Sequence, residues 1–213
     1  MKKWNLISIV VLASFSLAVH AKEIALSFDD APRGATGLIS AEERTKLLIE
    51  GLSYSGVKTV FFCNTERFLA DGKTRIDRYI RAGHLIANHS DSHPDLDKIS
   101  AEDYWSDVLK ANQILKDIPT FRKWFRFPFL HEGRTVEKRD FIRTKMSNAA
   151  YLNGYVTVDN ADWYIDDLVQ RKKNEGFFVD IAKLKKLYVS MIIDSIEFYD
   201  SLAVQVIGRS PKH

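Results

Sequence analysis

Asp29 and Asp30 follow the apolar run Ile24-Ala25-Leu26-Ser27-Phe28 without a buffer and precede Ala31-Pro32-Arg33-Gly34. Two adjacent carboxylates at a strand end repel each other unless a cation sits between or beside them. Further along, His89 and His93 are four residues apart and Pro94 follows at once. That spacing can bring both imidazoles to one side of a single turn, a common geometry for a first-row metal. Two imidazoles, one carboxylate and an open position for water make a zinc-type hydrolytic site. One aspartate of the pair would bind the ion, and the other would stay free to take a proton from water.

Two more clusters could join that chemistry. Arg126, Pro128 and His131 lie in one stretch, and Asp159, Asp162 and Trp163 in another. Each has a plain alternative when taken alone. The Asp pair could be a solvated turn, Arg126 a surface strand residue, Trp163 a core residue, and Asp159 or Asp162 a helix N-cap. His131 reads as a loop histidine.

Elements of a particular kind must position these groups. Strands are predicted over residues 23–28, 57–63, 84–88, 123–127 and 154–158. Ser40 and Glu43 form a capping box that starts a helix running to about residue 55, and Ser100 caps another that runs to about residue 116. Helical spacing also covers residues 73–83, 136–150, 165–171 and 181–206. Strands alternating with helices predict βα units and a parallel sheet. The four clusters then fall at the C-terminal ends of strands one, three, four and five, the edge where active sites of such folds collect.

In this order the stretches 27–32, 89–96, 126–129 and 159–163 resemble the motifs of the metal-dependent polysaccharide deacetylases, the NodB-homology or carbohydrate esterase family 4 group. The resemblance covers residues 24–163. It implies that Asp29 is the general base, and that Asp30, His89 and His93 hold a divalent metal, usually Zn²⁺. It implies that Arg126 orients the base and that the Phe129 backbone N–H helps hold an oxyanion. Trp163 matches a wall of the acetyl pocket, and Asp162 a carboxylate that tunes a catalytic histidine. The expected substrate is an N-acetylated (or O-acetylated) glycan, and the expected reaction is hydrolytic deacetylation.

Three positions depart from the family pattern. Ala31 stands where glycine is usual, and Phe129 where tyrosine is common. The family's Leu-x-His, whose histidine is the general acid, has no counterpart after Trp163, where the one histidine is His213. The expected fold is therefore α/β, a distorted (β/α)7-type barrel lacking its last strand. The alternative expectation is a catalytically impaired relative that binds carbohydrate or metal.

Bulk properties fit this reading. The 213 residues suffice for one sizeable core, and a 46% hydrophobic share is that of a globular chain. Lys and Arg number 31 against 28 Asp and Glu, so nucleic acid is not an expected partner. Residues 1–21 read as a cleaved signal peptide, with a basic start, an apolar run shorter than a spanning helix, and small residues at Val19 and Ala21. Export to the periplasm or exterior is expected, without stable membrane insertion, with residues 22–213 as one catalytic domain that is C-terminally incomplete. The single cysteine, Cys63, cannot form an internal disulfide and reads as a small buried hydrophobe. Nothing in the pattern sets an oligomeric state.

Overall fold

The structure is a computed structural model that describes residues 23–211. The expected leader and His213 lie outside the described residues. In chain order the elements are β1 (Ser27–Ala31), α1 (Ala41–Tyr54), β2 (Val60–Cys63), α2 (Gly72–Arg81), β3 (Leu85–Asn88), α3 (Ala101–Leu115), β4 (Phe121–Phe125), α4 (Val136–Asn148), β5 (Leu152–Asn153), α5 (Asp162–Asn174) and α6 (Ile181–Ile207).

All strand pairs are parallel, and the sheet order is β1-β2-β3-β4-β5. Each strand therefore lies beside its predecessor. The order never reverses, as it does in doubly wound sheets, and this is the winding of a β/α barrel. The barrel expectation is met by five strands among the described residues, and these form an open sheet.

Local chemistry starts the helices where the sequence places them. Ser40 accepts from Glu43 N at 3.1 Å, Ser100 from Asp103 N at 3.0 Å, and Asp180 from Lys183 N at 3.0 Å. Gly208 ends α6 in the left-handed region at φ 73°.

The helices bury the outer face of the sheet. One cluster joins Phe61, Ile76, Tyr79, Ile86 and Leu115, with Phe61 stacked on Tyr79 at 4.1 Å. A second joins Leu96, Tyr104, Val108, Phe125, Ile142 and Met146. Burying one such side chain contributes about 1.5–3 kcal/mol. Cys63 is fully buried in the first cluster, and burial pushes its thiol pKa well up, leaving it inert. The last helix is less integrated: Asp200 is its one buried residue, while Phe198 and Val206 are exposed. No helix among the described residues is long and apolar enough to cross a membrane.

The strand predictions need correction: β2 begins at Val60 rather than residue 57, β4 is Phe121–Phe125 rather than residues 123–127, and the first and fifth differ most. The first strand begins at Ser27 rather than residue 23, and it contains the Asp pair instead of ending before it. The fifth strand is Leu152–Asn153, not residues 154–158. The stretch 154–158 has a β-branched pattern, but Gly154 passes over the inner face of the sheet, where a Cβ would meet the Phe62 ring at 2.6 Å. Gly154→Ala is accordingly expected to destabilise the fold by about 1–3 kcal/mol through overpacking. A lowered urea midpoint with unchanged slope would show it.

Candidate active site

Alternation along β1 puts Ser27 and Asp29 on one face and Phe28 on the other. Phe28 stacks on Phe61 at 5.3 Å on the helix-covered side. Ser27 and Asp29 both meet Arg126 from the end of β4, whose Nη1 donates to Ser27 Oγ at 2.8 Å and to Asp29 Oδ1 at 2.7 Å. Arg126 is itself fixed. Its Nε donates to Gly154 O at 2.8 Å, and its guanidinium lies 4.0 Å from the centre of the Phe62 ring. The side chain of Arg126 is 7% exposed and that of Asp29 is 34% exposed, so the carboxylate is held from behind and open in front.

Simple alternation would turn Asp30 to the helix side with Phe28. A bulge prevents this. The register with β2 gains one residue between Phe28 and Ala31, and Asp30 adopts φ 59°. Bulges commonly re-aim a side chain beside an active site. Here both adjacent carboxylates reach the same sheet edge.

Asp30, His89 and His93 offer ligand atoms that all lie within 4.8 Å of one another. His93 Nε2 is 3.5 Å from Asp30 Oδ1. His89 is buried, and its Nδ1 faces Arg126 O at 2.8 Å, which leaves Nε2 to act as ligand. Burial and the neighbouring His89 lower the His93 pKa, which favours the neutral imidazole a metal needs. Asp30 Oδ1 is buried and accepts no hydrogen bond, although Arg67 Nη2 approaches to 3.4 Å. An orphaned carboxylate oxygen facing two imidazoles fits a divalent cation.

The loop between the histidines is strained and heavily tied. Ser90 and His93 have φ of 70° and 61°, each a conformation that costs a non-glycine residue on the order of 1–3 kcal/mol. Asn88 Oδ1 accepts from Ser90 N at 2.7 Å, and Ser90 Oγ from His93 N at 3.0 Å. Asp91 accepts from Thr65 Oγ1 at 2.5 Å and pairs with Lys110 Nζ at 2.5 Å.

The remaining predicted residues are placed as follows. Phe129 has φ 57° and sets its ring edge-on to His93 with centroids 4.6 Å apart, so its side chain borders the histidine pair. Asp162 opens α5; its carboxylate accepts from Trp163 N at 2.7 Å and feels the charge of Asp29. Partial desolvation raises the Asp162 pKa. Among the described residues no histidine hydrogen-bonds to it. Trp163 is 67% exposed and borders a shallow groove with Met191 and Phe198 of α6.

His131 belongs to a different group. Its Nδ1 lies 2.9 Å from Asp95 Oδ1 and 3.4 Å from Asp97 Oδ2, and it holds the Asp95 carboxyl down at about 2. Lys98 pairs with Asp95 and Arg134 with Asp97, so side-chain cations already neutralise these carboxylates. The group ties the β4 loop to the chain just past His93. Sequence patterning missed Ser27, Asn88 and Arg67. Ser27 lies two residues before Asp29 on the same strand face, and that parity was a usable signal.

Residues 17–141 match the family model described as "Polysaccharide deacetylase". A peptidoglycan-N-acetylglucosamine deacetylase of Bacillus cereus is 29% identical over 154 residues, which is 70% of this chain and 50% of that protein. A chitin deacetylase of Arthroderma benhamiae is 31% identical over 122 residues, 54% of this chain and 30% of that protein. The solved structure of the peptidoglycan deacetylase PdaC from Bacillus subtilis superposes with a TM-score of 0.53 at 26% identity, covering 73% of this chain and 70% of that one. The chain thus spans half or less of the length of these curated relatives. With the family match extending over more than half its residues, and with the Asp-His-His group at the strand edge, this chain belongs to the polysaccharide deacetylase family.

Proposed function

We propose that this protein is an exported, metal-dependent deacetylase of an acetylated glycan, with Asp30, His89 and His93 as metal ligands and Asp29 as general base. The observation that carries the reading is the division of labour between adjacent aspartates. Asp29 is held by Arg126 at 2.7 Å, while Asp30 presents an unbonded oxygen to two imidazoles. A divalent ion bound there, zinc by ligand type, would polarise the acetyl carbonyl and make water more acidic.

The chain's own residues do the rest. Asp29 accepts a proton from the attacking water, which adds to the carbonyl carbon. Arg126 holds Asp29 in place and aimed outward. The Phe129 N–H donates to the oxygen as it becomes negative. When the carbon–nitrogen bond breaks, the proton taken by Asp29 is available to the leaving nitrogen, and acetate and a free amino sugar result. On this reading Trp163 and Asp162 border the substrate on the α5 side.

The relatives named for peptidoglycan N-acetylglucosamine and for chitin support an N-acetylglucosamine-containing polymer as substrate. Such polymers lie outside the cytoplasm, which agrees with the expected leader. The test is acetate release from an acetylated chito-oligosaccharide by purified protein with zinc. Release that disappears after metal stripping and returns with zinc is expected. Acetate no higher than the stripped control would remove the hydrolase reading. Zinc and glycan binding without turnover would instead favour the impaired relative, the alternative raised by the lack of a Leu-x-His after Trp163.

A further inference from the structure

Asp107 lies on α3, outside every motif that suggested the site. Its carboxylate sits in the turn that joins the two histidines. Oδ1 accepts from the N–H of Asp91 at 2.7 Å and of Ser92 at 3.1 Å, and Oδ2 accepts from Ser92 Oγ at 2.6 Å. The N–H groups of Ser90 and His93 are taken by Asn88 and by Ser90 Oγ. Four successive backbone donors, from Ser90 to His93, are thus all accepted by side chains. Successive N–H groups around a left-handed residue make a concave anion site, and here Asp107 is the anion.

We propose that Asp107 is a positioning residue that sets the separation and aim of His89 and His93 for a metal ion. This rests on the reading of Asp30, His89 and His93 as ligands. The turn holds two left-handed non-glycine residues, Ser90 and His93, so it does not keep this shape by itself. The carboxylate keeps it from a rigid base: on the inward side of α3, Tyr104, Val108, Ala111 and Leu115 are fully buried. Asn88 adds a second tie to the same helix, donating to Val108 O at 3.1 Å. Asp107 touches neither imidazole. It acts through the backbone that carries them.

Zinc affinity measured by chelator competition at 25 °C, the visible spectrum of the cobalt(II)-loaded protein and the melting temperature without metal together test this. Asp107→Ala is expected to weaken zinc binding about tenfold, the lower end of the roughly 10–100-fold effect of outer-sphere partners. The cobalt(II) bands should shift, because the imidazoles no longer converge at the same angle. Asp107→Asn keeps an acceptor for both N–H groups but loses the charge, and it should fall between wild type and Asp107→Ala in both readouts. A lower melting temperature with wild-type zinc affinity and wild-type cobalt(II) bands would mean a purely structural tie and would overturn the proposal. If Asp107→Ala does not fold, Asp107→Asn decides on the same criteria. Wild-type protein that binds neither metal would instead remove the ligand reading on which this depends.

Discussion

His93→Ala is expected to abolish acetate release and the zinc-dependent gain in melting temperature together. Zinc at one hundred times its Kd stabilises a folded protein that binds it by about 2.7 kcal/mol, which for a chain of this length is roughly 5–10 °C. Losing one of three protein ligands removes more affinity than losing an outer partner, which costs roughly 10–100-fold. At the same zinc concentration little of the gain should remain. The metal-free melting temperature should change little. The His93 side chain is 20% exposed, and its backbone N–H keeps its bond to Ser90 Oγ whatever the side chain. His89 is a poorer choice, since it is fully enclosed and its ring nitrogen ties the loop to Arg126 O. A His93→Ala protein that still gained stability from zinc and still released acetate would show that the ion sits elsewhere.

The order of strands and helices was legible because each βα unit carries its own punctuation. Ser40, Ser100 and Gly208 mark helix ends by local hydrogen bonding or backbone conformation, and local chemistry survives without tertiary context. The fifth strand was not legible for the opposite reason. Residues 154–158 carry strand-like residues, but the close approach of Gly154 to Phe62 is a contact across 92 positions that no local pattern encodes. The site shows the same division. The types and spacing of Asp29, Asp30, His89 and His93 were readable. That Asp30 joins the histidines depends on a bulge, and parity along an ideal strand would place it on the wrong face. Arg126 was readable as a strand-end residue, whereas its bond to Ser27, 99 positions away, had to be seen. Asp107 carries no signal at all in sequence, because its partners are backbone N–H groups that any residues at positions 91 and 92 would supply.

Asp29→Asn separates the roles of the two adjacent aspartates. Asparagine has nearly the same shape, and its Oδ1 can still accept from Arg126 Nη1, so the strand edge keeps its geometry. What is lost is the capacity to take a proton. The loss should lower kcat by about 10²–10⁴, the usual worth of a general base, or about 3–5.5 kcal/mol of barrier. KM should stay near wild type, since the substrate meets the same surface. Zinc affinity should also stay near wild type, because Asp29 spends its carboxylate on Arg126 and Asp30 faces the imidazoles. The contrast with His93→Ala is the discriminating feature: there zinc binding and turnover fall together, and here turnover falls alone. If Asp29→Asn lost zinc as completely as His93→Ala, the metal would be gripped by the first aspartate of the pair. Arg126 would then be orienting a ligand rather than a base, and the bulge that turns Asp30 toward the histidines would need a different purpose.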